Sequence, residues 1–195
     1  MNAPLRKPWT QDRFFSWAER QEIRYEFDGL QPVAMTGDFN GASAIGVNLI
    51  TSLHGRLRGG ICRALGPNAG LETSNNAIRY PDALVTCSKF DLRGRKVPSV
   101  LVVFEVVGST ADSNRRDRIV KVREYAAVTS IRRYVIVESS SVGLTVLERA
   151  TADQPWQTTV LSDADVLRMP EIGIEIPVSE IYDGIDFTEQ DNQEA

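Results

Sequence analysis

Three residues in one stretch, 80–121, have the types and spacing for phosphodiester chemistry. Asp82 follows Pro81 at the start of an apolar run that reaches Cys87. Glu105 is the one charged residue between Val97 and Val107, in VPSVLVVFEVV, and Lys121 lies beyond it in a basic, helix-patterned segment. Converging carboxylates are hard oxygen ligands suited to Mg2+ or Mn2+. A lysine beside them can stabilise charge developing on phosphorus or orient an attacking water. The competing reading is a structural ion pair between Glu105 and a neighbouring Arg or Lys.

Burial physics sharpens the case for Glu105. Its flanks, Leu101–Phe104 and Val106-Val107, describe a central strand, where an unpaired carboxylate is costly or is driven toward its neutral form. Some partner must compensate it. Pro81 removes a ladder donor and favours a strand start, so if strands 82–87 and 99–107 are neighbours, Asp82 and Glu105 converge. Two such acids repel unless a cation neutralises them. On the following helix, Arg118, Lys121 and Tyr125 share one stripe, and Ile119, Val122 and Ala126 the adjacent one. The apolar stripe is expected to face the sheet, which sets Lys121 at the sheet margin. Arg115, Arg116, Arg118 and Tyr125 are then the candidate nucleic-acid contacts, with Arg93, Arg95 and Lys96 on a loop as further basic groups. The alternative is an ordinary solvated basic surface.

The elements that must position these groups follow from periodicity. Residues 1–9 hold Pro4 and Pro8 and are expected to be a loose arm, and 188–195 an acidic tail, around one domain over 10–187. Thr10 reads as the N-cap of a short amphipathic helix carrying Phe14, Phe15 and Trp17. Ile23, Tyr25 and Phe27 alternate with charged residues before Asp28-Gly29, which predicts a hairpin returning over Gln31–Met35. Ala44, Val47, Ile50, Leu53 and Leu57 give helical spacing over 40–58, ended by Gly59-Gly60. Strands are expected near 61–65, 70–74, 83–87 and 97–107, then a helix over 115–128, strands over 133–138, 144–149, 157–161 and 172–176, and a helical turn after Pro177. The order gives an α/β or α+β domain with a central mixed sheet flanked by helices, its central strand buried on both faces.

Composition narrows the function classes. The 195 residues are 42% hydrophobic and 25% charged, ordinary for a globular protein, with net charge −4, so any attraction to nucleic acid must be local. Cys62 and Cys87 are too few for a disulfide framework and are expected as small buried hydrophobes. The N-terminal MNAPLRKPWT lacks an apolar core, and no run is long enough to span a membrane, so a cytoplasmic protein is expected. A single histidine, His54, and no G-x-S-x-G elbow argue against serine-hydrolase chemistry, and no glycine-rich phosphate loop occurs.

The combination of RYEFDGLQPVAM (24–35), GRLRGGICRALGPN (55–68), YPDALVTC (80–87), VLVVFEVVGST (100–110), DRIVKVREYA (117–126) and IRRYVIVESSSVGLTVLER (131–149) resembles the Uma2 family, within the PD-(D/E)XK nuclease-like superfamily. The likeness extends from about Trp9 to Ile185. It implies a restriction-endonuclease-like core in which Asp82 and Glu105 hold Mg2+ or Mn2+. The superfamily's strand lysine, two residues after the acid, is replaced by Val107, so the resemblance moves that role to Lys121 on the helix. It also makes Glu26 a further acid of the site, against the reading of Glu26 as an exposed hairpin carboxylate. DNA is the implied substrate, and a homodimer is the expectation by analogy with enzymes that cut both strands. The chain departs from the family at Ala42, where relatives carry histidine, and in GSTADSNRR after Val107. Those departures motivate the alternative of a nuclease-fold protein that binds or assembles without cutting.

Overall fold

Residues 7–35, 37, 39–108 and 116–187 are described by a computed structural model of the chain. The arm over residues 1–6, the tail over 188–195, and the polar lead-in with Arg115 lie outside the described residues. The elements are α1 (Gln11–Ala18), β1 (Tyr25–Phe27), β2 (Pro32–Ala34), α2 (Asn40–Leu57), β3 (Arg63–Leu65), β4 (Leu71–Glu72), β5 (Ile78–Arg79), β6 (Ala83–Thr86) and β7 (Val100–Val107). A π-helical turn, Arg116–Val120, leads into α3 (Lys121–Ala126), followed by β8 (Arg133–Glu138), β9 (Leu144–Glu148), β10 (Gln157–Leu161), β11 (Val166–Met169), β12 (Ile174–Pro177) and α4 (Val178–Ile181).

Six strands form the central sheet in the order β10-β9-β8-β7-β6-β3, with only β7 and β8 parallel among the described pairs. A second sheet, β2-β1-β5-β4, and the β11-β12 hairpin complete the mixed α/β architecture. The alternation of β7 serves both faces, as its hydrophobic run predicts. Val102, Phe104 and Val106 pack with Ala83 and Val85 against Ile45, Leu49 and Leu53 of α2. Val103 and Val107 pack with Leu84 against Tyr125, Ile131 and Tyr134 on the opposite face. A third cluster joins Phe14 and Phe15 of α1 to Phe27 and Ile78.

Local signals hold where they rest on backbone chemistry. The Thr10 hydroxyl accepts from the Arg13 N–H at 3.2 Å and caps α1. At the hairpin turn Gly29 has φ of 90°, and Asp28 Oδ1 accepts from the N–H groups of Leu30 and Gln31 at 2.8 and 2.7 Å.

Three expectations are corrected. The 115–128 helix is, in its described part, a π turn followed by a short α-helix, and it faces the other way. Lys121 and Tyr125 point into the sheet, while Ile119 is 49% exposed. Polar partners in the sheet, rather than helical hydrophobicity, decide that orientation. Second, Cys62 and Cys87 form a disulfide. They flank β3 and β6, and the Arg63–Thr86 pairing carries them opposite one another, a register that two isolated cysteines do not reveal. Third, the expected strand 172–176 falls at β12, paired with β11, a strand the periodicity missed beside Pro170. The basic loop 88–96 is also tied down: Lys96 Nζ donates to Glu72 Oε2 at 2.6 Å and to Gln11 Oε1 at 2.9 Å, and Arg95 pairs with Glu19.

Candidate active site

The site forms on the α3-facing side of the central sheet. Ala83 is paired with Phe104, so the next step along the antiparallel register sets Asp82 opposite Glu105. Asp82 shares its strand parity with Leu84, and Glu105 with Val103, both of which face α3. Pro81 ends the ladder where Asp82 begins, and Asp82 Oδ2 accepts from the Val106 N–H at 2.7 Å. Glu105 is 4% exposed, and its Oε1 accepts from the Tyr125 hydroxyl at 2.7 Å. The same oxygen lies 2.8 Å from Lys121 Nζ.

Lys121 is held among three acids. Its ammonium is also 2.9 Å from Asp117 Oδ1 and 3.8 Å from Glu26 Oε1. Glu26 enters from β1 and is 2% exposed. Its Oε2 accepts from Arg79 Nη1 at 3.1 Å and its Oε1 from the Tyr80 N–H at 3.2 Å. The other side of the Arg79 fork donates to Glu124 at 2.7 and 2.6 Å, joining β1, β5 and α3 in one ionic network.

Burial pushes the Glu105 carboxyl above its ordinary range; Lys121 opposes that rise, and Asp117, Asp82 and Glu26 add to it. Burial alone would lower the Lys121 pKa, but Glu105, Glu26 and Asp117 outweigh it and raise it. For Glu26 burial is likewise overcome, by Lys121, Arg79, the Tyr80 N–H and Arg116, and its pKa falls. The network therefore concentrates negative charge in a low-dielectric place and leaves Glu105 the most crowded member.

The structure brings together Asp82, Glu105, Lys121 and Glu26, the last buried rather than exposed on its hairpin. Tyr125 is fully buried and stacks edge-on with Tyr134 at 4.9 Å, so it offers no surface to a nucleic acid. Arg118 is paired with Glu138 through both carboxylate oxygens, and Arg116 acts on Glu26. His54 is exposed on α2, away from this cluster. Two residues escaped the sequence reading: Asp117, one helical turn before Lys121, and Arg79, just ahead of Tyr80-Pro81-Asp82. The D-x-x-x-K spacing was visible for the first; nothing local marks the second.

Among the described residues no three His, Cys, Asp or Glu side chains are grouped to hold a metal by themselves. The donor chemistry nonetheless fits Mg2+, which is commonly held by one or two carboxylates with water and substrate oxygens completing its shell. Asp82, half-buried, and Glu105, buried, supply two hard, mutually repelling oxygen donors on one face of the sheet.

A sequence model of the Uma2 family, described as "Putative restriction endonuclease", matches residues 11–179. The uncharacterized protein slr1290 of Synechocystis sp. is 28% identical over 178 residues, covering 90% of this chain and 92% of the relative. The crystal structure of a "putative nuclease belonging to DUF820" from Anabaena variabilis matches with a TM-score of 0.66 and 12% identity, over 90% of this chain and 98% of that one. At that identity the likeness concerns the fold.

Proposed function

We propose that this chain, which belongs to the Uma2 family, is an endonuclease that hydrolyses phosphodiester bonds in DNA with Mg2+ or Mn2+ held by Asp82 and Glu105. The observation that carries this reading is the opposition of those two carboxylates across β6 and β7, with a buried ammonium 2.8 Å from one of them. A divalent cation bound there supplies Lewis-acid polarisation of a phosphoryl oxygen and acidifies water. The protein's own groups do the rest. Tyr125 and the Val106 N–H orient the two carboxylates, Lys121 brings positive charge toward a phosphate at Glu105, and Arg79 fixes Glu26 beside Lys121. Arg116, whose charge reaches Glu26 of the site, is assigned to a DNA phosphate in preference to Arg118, which is already engaged by Glu138.

Plasmid nicking tests this reading. The wild type is expected to nick supercoiled DNA with Mg2+ or Mn2+, and Asp82→Ala and Glu105→Ala to lose on the order of a hundredfold or more. Equal residual cutting by all three proteins would assign the activity to a contaminant and overturn the reading.

A second reading has one observation behind it: Lys121 already neutralises Glu105 and Asp117, as a purely structural cation would. On that reading the chain binds DNA or assembles with another copy without cutting. Calorimetry separates the two, because the non-cutting protein takes up neither Mg2+ nor Mn2+ at millimolar concentration while remaining folded. Among the described residues no helix is long and apolar enough to cross a membrane.

A further inference from the structure

One ammonium is shared by two carboxylates that have different work to do. Lys121 Nζ lies 2.8 Å from Glu105 Oε1 and 2.9 Å from Asp117 Oδ1. We infer that Asp117 is a positioning residue for Lys121, retaining the ammonium beside the site when a divalent cation takes Glu105. This rests on the reading of Glu105 as a cation ligand.

A divalent cation at the Glu105 carboxylate repels an ammonium that touches the same oxygen, so Lys121 must give up that contact. It cannot simply retreat, because Lys121 and Asp117 are 6% and 5% exposed, and a buried ammonium without a partner is costly. Glu26 is a poorer refuge. It is 3.8 Å away, and its two oxygens are already engaged by Arg79 and the Tyr80 N–H. Asp117 is in place before the cation arrives. The Tyr134 hydroxyl of β8 donates to the Asp117 carbonyl at 2.9 Å, pinning the π turn to the sheet next to β7. The π turn also delivers Asp117 and Lys121, four residues apart, onto the same inward side. Asp117 thus stores the lysine where it can still face a phosphate, and without that acceptor cation binding would expel it.

The test is calorimetric titration of the whole chain with Mn2+ alone, without DNA, in wild type, Asp117→Asn, Lys121→Met and the double variant. Asp117→Asn is expected to weaken Mn2+ binding about tenfold when Lys121 is present, and to leave it within about twofold in the Lys121→Met background. Unchanged affinity in both backgrounds overturns the inference while leaving the cation site standing. Equal weakening in both would make Asp117 a direct ligand and also overturn it. Absence of Mn2+ binding by the wild type would overturn the cation site itself, and the inference with it. A measurement on the wild type stands even if Asp117→Asn fails to fold. The Lys121 ammonium signal, assigned by its loss in Lys121→Arg, is expected to persist in nitrogen-detected magnetic resonance at saturating Mg2+. Its disappearance into solvent exchange on adding Mg2+ would contradict retention by Asp117.

Discussion

Glu26 and Glu105 are both buried carboxylates near Lys121, yet their surroundings drive them in opposite directions. Burial opposes the Glu26 carboxylate, but Lys121, Arg79 and the Tyr80 N–H overcome it, so its pKa falls below the ordinary 4.5. Its contribution to stability is present above that value and is lost as pH falls through the lowered one. Glu105 is raised above 4.5 by burial and by three neighbouring acids, with Lys121 only partly offsetting them. Its contribution is full below 4.5 and is lost as pH rises through the raised value. Glu26→Gln is therefore expected to destabilise the protein at neutral pH by about 3 kcal/mol, a penalty that shrinks as pH falls below 4.5. Glu105→Gln should gain on the wild type as pH rises from about 5 to about 8. Urea denaturation at several pH values measures both, and a pH-independent difference for Glu105→Gln would contradict the crowding described here.

The elements around the site are joined by side chains rather than by a continuous sheet. Arg79 ties β1 to α3 through a fork that grips Glu26 and Glu124, and the longer Lys121–Glu26 pair at 3.8 Å adds a second link. Arg79→Met would strand two carboxylates, one fully buried, and is expected to cost about 3–5 kcal/mol in chemical denaturation. Reducing the Cys62–Cys87 link, which closes a loop with a sequence separation of 25, should lower stability by about 3 kcal/mol, read as a fall in Tm with dithiothreitol that a Cys62→Ser variant does not show. What the sequence made legible at this scale was whatever depends on neighbours in the chain. Alternation in β7, the Asp28-Gly29 turn, the Thr10 cap and the extent of α2 all follow from local pattern. The inward turn of Lys121 was not legible, because partners from β1 and β7 decide it against the apolar stripe. Burial of Glu26 depends on an arginine 53 residues away, and the disulfide on the register of β3 against β6. Such pairings are set by the folded sheet and leave no short-range trace.

For the molecule as a whole, net charge of −4 means that DNA must be met by a few local cations. Arg118, Arg95 and Lys96 are spoken for by acids, so the salt dependence of DNA binding should be shallow. Arg116→Ala is expected to reduce the slope of log K against log salt by about one, measured by fluorescence anisotropy on a DNA duplex. The parallel pairing of β7 with β8 has a further, temporal consequence. Antiparallel β6 and β7 can close early through the 87–99 loop, but β8 must travel across the longer 108–132 connection before it can lie beside β7. Asp82 and Glu105 are therefore expected to come together first, and Lys121, whose turn is pinned by Tyr134 of β8, to arrive later. During synthesis, a chain that has not yet yielded β8 carries the acids but lacks the scaffold that aims the lysine. The cluster is completed only when the centre of the sheet is, so a stalled or truncated product holds these groups in an unassembled form.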